Sequence, residues 1–137
     1  MLNNKPKKIL LVDDEKDVLV YLGNILRRAH FDVVTAESGQ EAIEAARKSS
    51  PDLIILDILI PDISGTGVAT ILSEGESTKH IPIIFLTGMI NKQEEALTKK
   101  QGAGSVAGSH RELAKPVNKK ELLAAIDKIL FPEREHS

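Results

Sequence analysis

Short apolar runs alternate with amphipathic stretches along most of the chain, and nearly every apolar run stops on a polar residue. Lys8 to Val12 (KILLV), Phe31 to Ala36 (FDVVTA), Leu53 to Asp57 (LIILD), Ile81 to Leu86 (IPIIFL) and a short stretch near Arg111 to Ala114 are too brief for helices. Most are rich in Ile, Leu or Val, so they predict strands. The third is a continuous apolar run, as expected of a strand buried on both faces. Between the strands, apolar residues recur at helical spacing. Val18, Leu22, Ile25, Leu26 and Ala29 predict a helix from about Lys16 to Ala29. Ala42, Ile43, Ala45 and Ala46 predict a second over Ser38 to Lys48, broken by Ser49, Ser50 and Pro51. Val68, Ala69, Ile71 and Leu72 predict a third, from about Thr66 to Leu72 or Glu74, with Gly75 to His80 as a loop. Asn91 to Lys100 predicts a polar fourth helix with few inward residues, Ala96 and Leu97 chief among them, and so the weakest held. Gln101 to Ser109 (QGAGSVAGS) predicts a mobile loop. Asn118 caps a last helix through Leu122, Leu123, Ile126, Ile129 and Leu130.

Five strands alternating with five helices predict an α/β fold, a doubly wound parallel sheet. Ligands of such sheets sit beyond the carboxyl ends of the strands, where strand order reverses. Those ends carry Asp13 with Asp14, Asp57, Thr87 and Lys115. With strand order 2-1-3-4-5, strands one and three are neighbours about 5 Å apart, which crowds Asp13, Asp14 and Asp57 together. Three carboxylates cannot all stay ionised there unaided. Either a proton is retained or a hard cation is bound, and Mg2+ prefers such an all-oxygen, partly hydrated site. Lys115, two strands over, has the length to reach Asp57, and Thr87 supplies a hydroxyl from one strand over. A carboxylate flanked by a cation, an ammonium and a hydroxyl is arranged to accept a phosphoryl group, with Asp57 as in-line nucleophile. Gly88 leaves space beside Thr87.

At 137 residues there is room for one domain with a real core. The expected division is a domain over 1–131 and a tail or linker start over 132–137. A net charge of -2 with mixed signs gives nucleic-acid binding no support. Cysteine is absent, which removes disulfides and thiolate metal sites. No apolar run is long enough to span a membrane, and MLNNKPKK lacks the apolar stretch of a signal peptide. The expectation is a soluble cytoplasmic protein, monomeric or weakly dimeric.

The motifs VDDE at Val12 to Glu15, Asp57 with Pro61 and Gly65, Thr87-Gly88 and Lys115-Pro116 resemble the receiver domains of two-component response regulators. Each motif is weak alone, but they occur in order, each at the end of its own strand. The resemblance runs from Lys7 to about Leu130 and implies a flavodoxin-like sheet like that of the chemotaxis receivers. It implies that Asp57 is phosphorylated by a sensor histidine kinase or phosphotransfer protein to control a downstream protein, whose identity the sequence does not give. It also implies direct Mg2+ binding by Asp14, Asp57 and the main-chain carbonyl of Leu59, with Asp13 acting through water, and a cis Lys115-Pro116 bond. Leu59 and Met89 stand where relatives tune phosphate lifetime, and both are apolar here. The family usually has an aromatic three residues before the lysine; here that residue is Glu112, with His110 nearby as a possible substitute or a solvated loop residue. Conventional output would then come from repacking of the fourth helix and the loop after it.

Taken singly, Asp13 and Asp14 suit a helix start and Lys115-Pro116 a turn. The glycine-rich loop has no GxxxxGK and opens no helix, so flexibility describes it better than phosphate binding. His30, His80, His110 and His136 show no ligand spacing. Two rival functions remain. A flavin module would want a Ser/Thr-rich loop after the first strand, where this chain has three acids. A metal-dependent phosphohydrolase would need a further acid-base residue, and position 59 is Leu59.

Overall fold

The apolar runs become five parallel strands: β1 (Lys8–Val12), β2 (Asp32–Ala36), β3 (Leu53–Asp57), β4 (Ile83–Thr87) and β5 (His110–Ala114). They form one sheet in the order β2-β1-β3-β4-β5, as expected. A computed structural model describes residues 5–88 and 110–134 of the chain. The expected helix over Asn91 to Lys100, the loop Gln101 to Ser109 and Met89 lie outside the described residues, as do His136 and both chain ends. The described helices are α1 (Lys16–Arg28), α2 (Gly39–Ser49), α3 (Gly65–Ser73) and α4 (Lys119–Leu130). None is long and apolar enough to cross a membrane.

Alternate side chains of β1, β3 and β4 feed two separate cores, which is why the central strands carry no polar alternation. Leu10, Val12, Ile54, Leu56, Ile83 and Phe85 pack with Ala42, Ile43 and Ala46 of α2 and Val68, Ala69 and Leu72 of α3. Ile9, Leu11, Leu53, Ile55, Ile84 and Leu86 face the other way, onto Leu19, Leu22 and Leu26 of α1 and Leu122, Ala125 and Ile126 of α4. Each fully buried Leu or Ile contributes roughly 1.5–3 kcal/mol. The two faces therefore hold β3 between them and fix where its last residue, Asp57, stands.

Element ends differ from the sequence reading for local reasons. Pro82 has no N–H to give to the ladder, so β4 opens at Ile83, although the Pro82 carbonyl still accepts from Ile54 N–H at 3.0 Å. His30 adopts a left-handed φ of 72°, and Phe31 N–H bonds back to Leu26 O, so β2 starts at Asp32. Ser38 is a cap on α2 rather than its first residue, its hydroxyl accepting from Glu41 N–H at 3.1 Å. His110 opens β5, opposite Ile83, rather than sitting in the preceding loop. In the turn after α3, Thr78 is buried and its hydroxyl donates to Leu72 O at 2.7 Å.

Candidate functional site

Register brings the acids together. Val12 pairs with Leu56, so the next residues, Asp13 and Asp57, leave the sheet side by side. Asp57 pairs with Leu86, and Thr87 pairs with Ala114, so Thr87 and Lys115 emerge at the same rim. Carboxylate oxygens of Asp13, Asp14 and Asp57 all lie within 4.8 Å of one another. Asp13 is 0% exposed and Asp57 3%, whereas Asp14 is open to solvent.

Asp13 and Asp57 use their oxygens in the same way. In each, Oδ1 accepts from the main-chain N–H two residues on: Glu15 N at 2.9 Å for Asp13 and Leu59 N at 3.1 Å for Asp57. Such turns are a local habit of aspartate, and they orient the carboxylate before any partner arrives. In each, Oδ2 faces Lys115, whose Nζ lies 2.7 Å from Asp13 Oδ2 and 3.1 Å from Asp57 Oδ2. The second contact is a hydrogen bond. The first is the closer of the two, an ion pair in which, among the described residues, Asp13 Oδ2 has no other partner. Glu15 adds a looser contact, its Oε1 3.6 Å from Nζ, on a side chain 66% exposed and therefore of little energetic weight.

Burial pushes the Asp57 carboxyl above its ordinary 3.8 despite the Lys115 hydrogen bond, and the Asp13 charge adds to the rise while the Leu59 N–H opposes it. Burial also works against the Lys115 ammonium, but contact with Asp13 and Asp57 prevails and raises its pKa above 10.5. The crowding expected from the acids is thus met, in part, by an internal cation.

The donor set suits a hard divalent ion: three carboxylates, one of them presenting a buried oxygen paired, among the described residues, with Lys115 alone, at a rim open to water through Asp14. Leu59 follows Asp57 closely, its side chain 63% exposed. The Thr87 carbonyl accepts from Lys115 N–H at 2.7 Å, which ties the ends of β4 and β5 together, and the Lys115-Pro116 bond is cis. Among the described residues, a Cβ on Gly88 would meet nothing within 4 Å beside Thr87. A cavity of about 360 Å³ adjoins Lys115, lined by Glu15, Val18, Leu22, Gly88, Pro116 and Val117.

All the acids, the lysine and the threonine singled out in sequence therefore end at one rim. Sequence reasoning missed the aspartate turns and the part of Glu15 as an outer contact of Lys115. An acid followed two residues later by a free N–H is the signal for such a turn, but the pattern is too common to stand out.

A family model for the response regulator receiver domain matches residues 9–127. The alkaline phosphatase synthesis transcriptional regulatory protein PhoP of Bacillus subtilis is 34% identical over 124 residues, covering 90% of this chain and 48% of that protein. Histidine kinase P4 of Formosa agariphila is 32% identical over 131 residues, covering 95% of this chain and 9% of that protein. Among solved structures, the chemotaxis response regulator CheY4 of Vibrio cholerae is 30% identical with a TM-score of 0.79, covering 91% of this chain and 99% of that one. The chain spans about half the length of the first relative and a small part of the second.

Proposed function

This chain belongs to the response regulator receiver domain family, and from that premise we propose that it is the phosphoacceptor of a two-component relay, with Asp57 as the residue that takes the phosphoryl group. The donor is a phosphohistidine on a sensor kinase or phosphotransfer protein. The bond from phosphorus to the histidine nitrogen breaks, a bond to an Asp57 oxygen forms, and the freed imidazole takes a proton from solvent. The receiver unit spans 1–131, with 132–137 as a tail or linker start.

What carries this reading is Lys115, whose ammonium is 3.1 Å from one Asp57 oxygen while the other oxygen is held by Leu59 N–H. It keeps Asp57 ionised against its burial and places positive charge where the transferring oxygens will lie. The Thr87 hydroxyl is a further donor to those oxygens, and among the described residues nothing crowds the space at Gly88. Asp14, Asp57 and the Leu59 carbonyl would hold Mg2+, with Asp13 acting through water, and the ion would neutralise phosphoryl charge. The chain catalyses only its own phosphorylation and dephosphorylation. The modified domain then changes conformation to control a protein partner, in the cytoplasm and without contact to nucleic acid or membrane, as a monomer or weak dimer.

Incubation with acetyl phosphate and Mg2+ should add one phosphoryl group by intact mass, and Asp57→Asn should abolish the gain. Undiminished labelling of that variant removes Asp57 from its role.

A further inference from the structure

The loop Ile58–Ser64 leaves β3 directly after Asp57 and returns to the chain's third helix at Gly65. Its root is pinned. Gly65 N–H donates to Ile58 O at 2.7 Å, and a Cβ on Gly65 would fall 2.5 Å from Asp57 O and 2.7 Å from Ile58 Cα. Ile58 and Ile60 are buried on either side of exposed Leu59. Packing and the root contact thus anchor Ile58 and Ile60 and leave Leu59 exposed between them.

The outer half is held by something else. Both oxygens of Asp62 are engaged by the start of α2: Oδ1 accepts from Gly39 N–H at 2.8 Å and Oδ2 from Gln40 N–H at 3.0 Å. These are N–H groups that a helix cannot satisfy from within. A carboxylate there gains charge-assisted bonds and a favourable helix dipole. The Ser38 hydroxyl takes the next one, from Glu41, so Asp62 completes a cap begun by another residue. The two elements touch closely enough to require glycine: a Cβ on Gly39 would lie 2.9 Å from Ile63 Cβ and 3.1 Å from Val68 Cγ2. In keeping with these bonds, the N–H groups of Gly39 and Gln40 hold the Asp62 carboxyl below its ordinary 3.8. Asp62 therefore stays anionic, and the latch closed, at neutral pH.

We propose that Asp62 is a positioning residue, latching the loop to α2 so that the chain after Asp57, Leu59 included, keeps one course past the acid site for a divalent cation. The inference rests on the reading of that site as a Mg2+ site.

The test compares the full chain with Asp62→Ala, Asp62→Asn and Ser38→Ala. Mg2+ affinity is measured by calorimetry without phosphodonor, and the Leu59 amide signal by NMR without Mg2+. Asp62→Ala should weaken Mg2+ binding about three- to tenfold, less than the 10–100-fold typical where a bond to the metal ligand itself is lost. Asp62→Asn keeps one acceptor and should fall between it and wild type. Both should shift the Leu59 amide. Ser38→Ala loses a cap of α2 without touching the loop and should leave Mg2+ affinity within about twofold. Wild-type affinity in Asp62→Ala, or equal weakening in Ser38→Ala, overturns the proposal. If the wild-type chain takes up no Mg2+, the metal reading of the site fails. The latch is then decided by Leu59, and an amide signal unchanged in Asp62→Ala overturns it.

Discussion

Replacing Lys115 by Met keeps the aliphatic stem and removes one charge. Asp13 and Asp57, 0% and 3% exposed, would then face each other across no more than 4.8 Å with no cation between them. At an effective dielectric of about 20, that pair repels by about 3.5 kcal/mol. The ammonium contacts at 2.7 and 3.1 Å that offset it are lost as well. Removing one member of a buried ion pair costs about 3–5 kcal/mol. For a domain of this size we expect a fall in melting temperature of roughly 10–15 °C at pH 7 in EDTA.

The sign with pH is fixed by the shifts. Lys115 has a raised pKa, so its contribution in the wild type is complete below 10.5 and is lost only as pH rises through the higher folded value. Asp57 is raised above 3.8 by burial, so its charged form penalises the fold as pH climbs from 3.8 through that higher value, and the penalty is full above it. Without the ammonium, the penalty grows. The gap between variant and wild type should therefore narrow as pH falls from 7 toward 4, and Mg2+ at pH 7 should recover part of it. Urea unfolding followed by circular dichroism reads all three. A loss under about 1 kcal/mol in EDTA, or a gap indifferent to pH, would refute the placement of Lys115 between the two acids.

Gly65→Ala should cost about 1–3 kcal/mol and slow labelling by acetyl phosphate, because its methyl would press on the Asp57 carbonyl; an unchanged melting temperature argues against that contact. The exposed apolar Leu59 beside Asp57 should hinder an attacking water, so the phosphorylated chain should persist for minutes rather than seconds, and Leu59→Gln should shorten that lifetime severalfold. Intact-mass time courses decide it, and a wild-type lifetime of seconds contradicts the idea. Thr78→Val should lose about 1 kcal/mol by removing the shorter of two bonds to the Leu72 carbonyl, which keeps Gly75 N–H at 3.2 Å; denaturant titration showing no loss would mean water replaces the hydroxyl.

The sequence by itself determined the alternation of strands and helices, because that pattern reflects local backbone period and a solvent that expels apolar side chains. The run Leu53 to Asp57 announced a strand buried on both faces, and it is. The strand-end residues Asp13, Asp57 and Thr87 were legible for the same reason, since each ends or directly follows an apolar run, and Lys115 stood out beside Pro116 at the end of the last short strand. Local pattern was weaker for single contacts. Leu19 is buried in α1 although the helical spacing picked out Val18, because both positions border the apolar stripe and only packing on the sheet chooses between them. What tertiary structure alone decided is which groups meet. Lys115 lies 58 residues from Asp57, and Asp62 lies 23 from Gly39. Register across β3, β4 and β5 sets the first meeting, and the return of the loop onto α2 sets the second. Neither leaves a periodic trace in the chain, because hydrogen bonds and ion pairs depend on distances of a few ångströms that exist only after the sheet has assembled.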